Sequence, residues 1–190
     1  VEDPSARFVG EATAAAGSVV LCAMEGTRPL LVEVQALVAP TEVVPPRRVA
    51  NGIDRNRLAM ILAVLARHGG VQVGSADVFV NVAGGVRVDE PGADLAIALA
   101  VASAHRGESL ADAEGRPLAC FGEVGLTGEL RYVAHAERRV AEALKFGLGP
   151  VVGPRIQEAP GGLDMHGTLR RALAGSRRAR PDGRQFAAAA

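Results

Sequence analysis

Residues 95–102 read Leu-Ala-Ile-Ala-Leu-Ala-Val-Ala, a run that is apolar on every side of a helix. It is too short to cross a bilayer, so the surrounding chain has to enclose it. That demand selects a layered fold with a helix against a sheet. Pro91 suits the first turn of such a helix, predicted over residues 93–105. Asp89 and Glu90 precede it, where carboxylates favourably meet the positive helix end. The core around it is aliphatic, because apolar residues make up 48% of the chain and aromatic ones only 3%. The 190 residues suffice for one domain and a tail.

The remaining pattern supplies the sheet. Residues 17–24 form a β-rich run, and residues 30–38 alternate Val32, Val34, Ala36 and Val38 with Glu33 and Gln35. The Gly and Pro between them predict a hairpin. A loop over 40–46 leads to a helix capped by Asp54 or Asn56, with Leu58, Ile61, Leu62 and Leu65 at helical spacing and Gly69-Gly70 as its stop. Strands are expected at 77–82, 86–88, 118–121, 130–133 and 151–152, and helices at 136–146 and 164–173. Residues 1–16 read as a loose lead-in. Strands alternating with helices after a hairpin indicate an α/β sandwich with a mixed sheet.

Several chemistries lack their motifs. There is no phosphate-binding loop and no dinucleotide fingerprint; the glycine pairs read as turns. His68, His105, His135 and His166 are scattered, and no Cys-x-x-Cys exists, so no metal site is expected. Cys22 and Cys120 sit in apolar strands as packed small hydrophobes, and two cysteines fit a cytoplasmic protein. The start Val1-Glu2-Asp3-Pro4 resembles no secretory signal and lacks a Met, which reads as part of a longer chain. No membrane contact is expected.

The order Asp89-Glu-Pro-Gly-Ala-Asp94, a buried helix, Phe121-Gly-Glu-Val-Gly-Leu-Thr-Gly-Glu-Leu130 and a third helix resembles the proteolytic domain of the Lon family. A closer resemblance, over about residues 18–154, is to the C-terminal Lon-like domain of the bacterial RadA (Sms) family. It is carried also by Met24-Glu-Gly-Thr-Arg-Pro-Leu-Leu-Val-Glu-Val-Gln-Ala-Leu-Val38, Pro46-Arg-Arg-Val-Ala-Asn-Gly-Ile-Asp-Arg-Asn-Arg-Leu-Ala-Met60 and Asp77-Val-Phe-Val-Asn-Val82. The resemblance implies a two-layer mixed-sheet fold of the ribosomal protein S5 domain 2-like type. It implies a lead-in over 1–17 from an ATPase core, the Lon-like domain over 18–154, and a C-terminal helix with a basic, flexible tail over 155–190. ATP, Mg and Zn would belong to preceding parts of such a protein, and none is expected in this segment.

Lon enzymes use a Ser nucleophile and a Lys base. The matching positions here are Gly92 and Glu137. Lys145 lies roughly 12 Å along the helix from Glu137, and Ser103 roughly 16 Å from Gly92, too far to replace them. The expectation is therefore a non-proteolytic scaffold for a recombination and repair ATPase. It would support a homo-hexameric ring and sequence-independent contact with single-stranded or branched DNA during branch migration, with a RecA-type recombinase as a further partner. Arg47, Arg48, Arg55 and Arg57 suit phosphate oxygens, or pair with Asp89, Glu90 and Asp94 across a subunit boundary. The tail adds Arg170, Arg171, Arg177, Arg178, Arg180 and Arg184 against Asp182. The alternatives are a peptidase using Thr127, or an acid pair including Glu90 or Asp94, and a protein-interaction module.

Overall fold

A computed structural model describes residues 4–178, with a seven-stranded mixed sheet and five α-helices among them. Helix α1 (Pro4–Glu11) precedes the hairpin of β1 (Ser18–Glu25) and β2 (Arg28–Pro40), followed by β3 (Arg48–Asn51), α2 (Arg55–Val64) and β4 (Ala76–Val82). The enclosed helix is α3 (Asp94–Arg106), entered through a 3-10 turn at Pro91–Ala93. Then come β5 (Ala119–Cys120), a small hairpin of β6 (Glu123–Val124) and β7 (Leu130–Arg131), α4 (Ala136–Lys145), β8 (Val151–Pro154), β9 (Leu163–His166) and α5 (Leu169–Arg178).

The main sheet runs β3-β4-β2-β1-β5-β8-β9. Its centre is antiparallel, β4 against β2 and β2 against β1, while β3 pairs with β4, and β5, β8 and β9 pair with their neighbours, in parallel. Residues 19–23 of β1 and 30–34 of β2 are buried on both faces, so the hairpin forms the middle of the molecule. Helix α3 packs on β1 and β2, and every residue from Asp94 to Ser103 is buried. The helix that had to be enclosed is enclosed. Gly107 closes it in the left-handed conformation. Cys22 and Cys120 are fully buried, free cysteines on adjacent strands, and burial pushes the Cys22 thiol up to about 12.

Four expectations need correction. The lead-in is not loose throughout, because Pro4–Glu11 is helical: the Ser5 hydroxyl accepts the Leu31 N–H, and Phe8 packs over Gly84. Residues 47–54, read only as the approach to α2, contain strand β3. Residues 86–88 are not a strand, although the Val88 N–H is held by the Gly52 carbonyl. The last helix starts at Leu169 rather than 164, because residues 163–166 are recruited as the edge strand β9 beside β8. Asp54, not Asn56, caps α2, accepting the Arg57 N–H at 2.8 Å. Arg180, Asp182 and Arg184 of the expected basic tail lie outside the described residues. Among those residues no helix is long and apolar enough to cross a membrane.

Leu99 is fully buried in α3. Truncation by Leu99→Ala is expected to cost about 2–5 kcal/mol in urea unfolding. Val44→Ala, at a loop residue 97% exposed, should stay within about 0.5 kcal/mol of the parent.

Candidate functional site

The turn before α3 carries Gly92, which the resemblance to the Lon family sets at the nucleophile's position. Gly92 is buried, and its carbonyl accepts the Gly122 N–H at 2.9 Å, which fastens the turn to the end of β5. A Cβ placed on Gly92 would lie 3.0 Å from both Arg139 Nη1 and Glu90 Oε2. The space where a nucleophile's side chain would begin is therefore bounded by an ion pair. Glu90 Oε1 accepts from Arg139 Nη1 at 2.9 Å, and Oε2 accepts from Nη2 at 2.5 Å. Arg139 also donates to the carbonyls of Cys22 at 2.7 Å and Ala134 at 2.9 Å, and its guanidinium lies 5.5 Å from the Phe121 ring centre. Glu90 takes the Met24 N–H as well. The sequence reading missed Arg139; its signal was an arginine two residues past Glu137, on the apolar face of α4.

Glu137 is exposed on the first turn of α4, in an open groove of about 670 Å³ with Tyr132, His135, Arg138 and Arg155. His135, just before the helix, is in the left-handed conformation at φ 64°. The other candidates are engaged. Lys145 lies 4.0 Å from Glu142. The Ser103 hydroxyl accepts the Gly17 N–H at 2.8 Å and donates to the Glu108 carbonyl. Thr127 donates to Glu129, which also accepts from Arg131 at 2.8 Å. The bond from Thr127, reinforced by Arg131, holds the Glu129 carboxyl down at about 2.

The four candidate arginines do not converge on one site. Arg47 Nε donates to buried Asp77 at 2.8 Å, and its guanidinium stands over the Phe79 ring at 5.5 Å; the bond from Arg47 holds the Asp77 carboxyl below its usual range. Arg48 donates to the backbone carbonyls of Ala76 and Val73. Arg57 makes a forked bond to Asp94, whose Oδ2 also accepts the Val124 N–H. The bond to Asp94 raises the Arg57 guanidinium above its ordinary value. The Arg57–Asp94 pairing envisaged between subunits is thus made within the chain. Arg55 is exposed and, among the described residues, unpaired. Asp89 pairs with Arg87, and Glu90 with Arg139. In α5, Arg170 and Arg171 are exposed.

No protein-family model matches the chain. It is similar to the DNA repair protein RadA of Escherichia coli strain K12, 47% identical over 171 residues, which cover 88% of this chain and 36% of that protein. The DNA repair protein RadA of Haemophilus influenzae is 50% identical over 155 residues, 81% of this chain and 33% of the relative. That of Bacillus subtilis is 47% identical over 156 residues, with the same two shares. The chain spans about a third of the length of these relatives.

Removing the acid by Glu90→Ala leaves the buried Arg139 charge without its half-buried partner and is expected to cost about 3 kcal/mol in denaturant unfolding. Glu90→Ala with Arg139→Met should recover much of that loss. Glu129 contributes stability above its unfolded value near pH 4.5, and the contribution is lost as pH falls toward 2. An acid titration followed by circular dichroism should show Glu129→Gln with a shallower loss of stability across that window.

Proposed function

This chain belongs to the RadA family of bacterial DNA-repair proteins, and we propose that it serves there as a Lon-like scaffold without peptidase chemistry. In the longer protein it would support a hexameric ring and contact single-stranded or branched DNA independently of sequence while recombination intermediates are processed in the cytoplasm. ATP, Mg and Zn would act in the other two thirds, and a RecA-type recombinase would be a partner of the whole.

The observation that carries the non-proteolytic reading is the place of Gly92 against the Glu90–Arg139 pair. A serine there would have its side chain pressed onto a carboxylate and a guanidinium already bonded to each other. Glu137, at the position of the Lys base, is an acid on the exposed face of α4. The peptidase alternatives are poorly supplied. Thr127 is bonded to a carboxylate held at about 2, a weak proton acceptor at neutral pH. Glu90 and Asp94 are each neutralised by an arginine.

Three of the four arginines proposed for DNA are tied to protein groups. That favours modest backbone contact through exposed Arg55, Arg170 and Arg171 and the outward part of Arg47. The formal net charge of zero supplies no strong general attraction to nucleic acid.

The test has two arms. With a fluorogenic peptide, both the parent and Gly92→Ser/Glu137→Lys should show no turnover, because the Glu90–Arg139 pair still fills the site. Turnover in the parent that disappears in Thr127→Ala would overturn the scaffold reading. In fluorescence anisotropy with labelled DNA, binding should weaken as salt rises, and Arg55→Ala should lower the salt slope by about one contact.

A further inference from the structure

The face of the sheet formed by β2, β4 and β3 is open to solvent and organised in rows. Gln35 pairs in register with Asn81, and Asn81 with Asn51; one step along, Leu37 pairs with Phe79, and Phe79 with Val49. Side chains two apart share a face, so these six form an amide row beside an apolar row on one surface. The next step carries Asp77, with Arg47 bonded to it and standing over Phe79. Leu37 is 59% exposed and Val49 45%. Asn51 donates to Asn81 at 2.5 Å, leaving the rest of both amides free to bond outward.

The rows floor a depression of about 450 Å³, walled on one side by the chain from Thr13 to Ser18, and no carboxylate lines it. Around it are three amides, two exposed aliphatic side chains, one aromatic ring and a guanidinium stacked on that ring. The surface spans about 10 Å across three strands and about 7 Å between rows, room for two or three unstacked bases.

We propose that this face binds the bases of single-stranded DNA. Resting on the DNA-contact reading above, the inference places the single strand on one surface and moves the contact from backbone charge to base faces and edges. Bases lie on Leu37, Val49 and the outer plane of the Arg47 guanidinium; the Gln35, Asn51 and Asn81 amides meet base edges, and the two carboxylates in the flanking rows, Asp77 and Glu33, are buried and bonded to Arg47 and to Thr13 and Ser18. A duplex presents no free base faces and is excluded from this surface.

The test is fluorescence anisotropy with an oligo-dT of about 16 nucleotides and a duplex of equal length. Leu37→Glu, at an exposed position, puts a carboxylate in the centre of the face. It should weaken oligo-dT binding at least about tenfold, leave duplex binding within about twofold, and keep the parent thermal midpoint. Asn51→Ala/Asn81→Ala should weaken oligo-dT binding by a smaller factor in the same direction. If DNA binds but both variants bind oligo-dT like the parent, the face is not the site, while the DNA-contact reading stands. If the parent binds no DNA at all, that reading fails and this inference with it. If light scattering shows the parent self-associating and Leu37→Glu monomeric with unchanged DNA binding, the face is a surface for a second copy and the inference is overturned.

Discussion

Arg139 is the largest wholly buried side chain among the described residues, and four parts of the structure meet on it. Its guanidinium takes the carbonyl of Cys22 in the central strand, the carbonyl of Ala134 before α4, both oxygens of Glu90 before α3, and the face of Phe121 after β5. A buried cation is costly unless its donors are satisfied and its charge matched. Here the forked geometry meets a carboxylate on one side and backbone carbonyls on the other. Because Glu90 also holds the Met24 N–H, displacing either member would disturb the central strand and the entrance to α3 together. The turn bearing Gly92 follows from that arrangement. Only a residue without a side chain sits there without pushing on the pair.

Much of the fold was legible because its signals are local. The hairpin of β1 and β2, the Asp54 cap, the helix around Leu58 and the all-round apolar helix α3 each rest on spacing within one segment. The misses are elements whose reason is distant. Strand β3 contains only four residues and exists because β4 offers it a parallel edge. Residues 163–166 look helical by composition, yet β8 has an unpaired edge that extended chain satisfies. Helix α1 is short and weak by propensity, and it forms because Leu31 and Gly84 receive Ser5 and Phe8.

The candidate site was less legible for the same reason. Counting arginines near residue 50 identifies a basic cluster, but the acids that bind them lie 30 residues away at Asp77 and 37 at Asp94. Proximity in sequence therefore overstated the free positive charge. Pattern matching singled out Gly92 and Glu137, whereas Arg139, which bounds the space beside Gly92, differs from its neighbours only in facing inward. Burial of a charged residue on an amphipathic helix is set by the groove it meets.

The open face of β2, β4 and β3 combines exposed apolar side chains with a guarded edge. An apolar row beside an unpaired edge strand invites edge-to-edge association. This sheet restrains that hazard without covering the row. Strand β3 is kept to four residues, Pro45 and Pro46 precede it, and Arg47 and Arg48 flank its start with charge. Arg48 is further fixed by carbonyls of the chain leading into β4, which holds the edge in register. Polar replacement of Leu37 and Val49 would have removed the hazard more simply, since both are exposed and neither belongs to the buried core. Their presence beside the amides, with the edge guarded separately, fits the proposed binding surface: exposed enough to be reached, and protected against pairing with another strand.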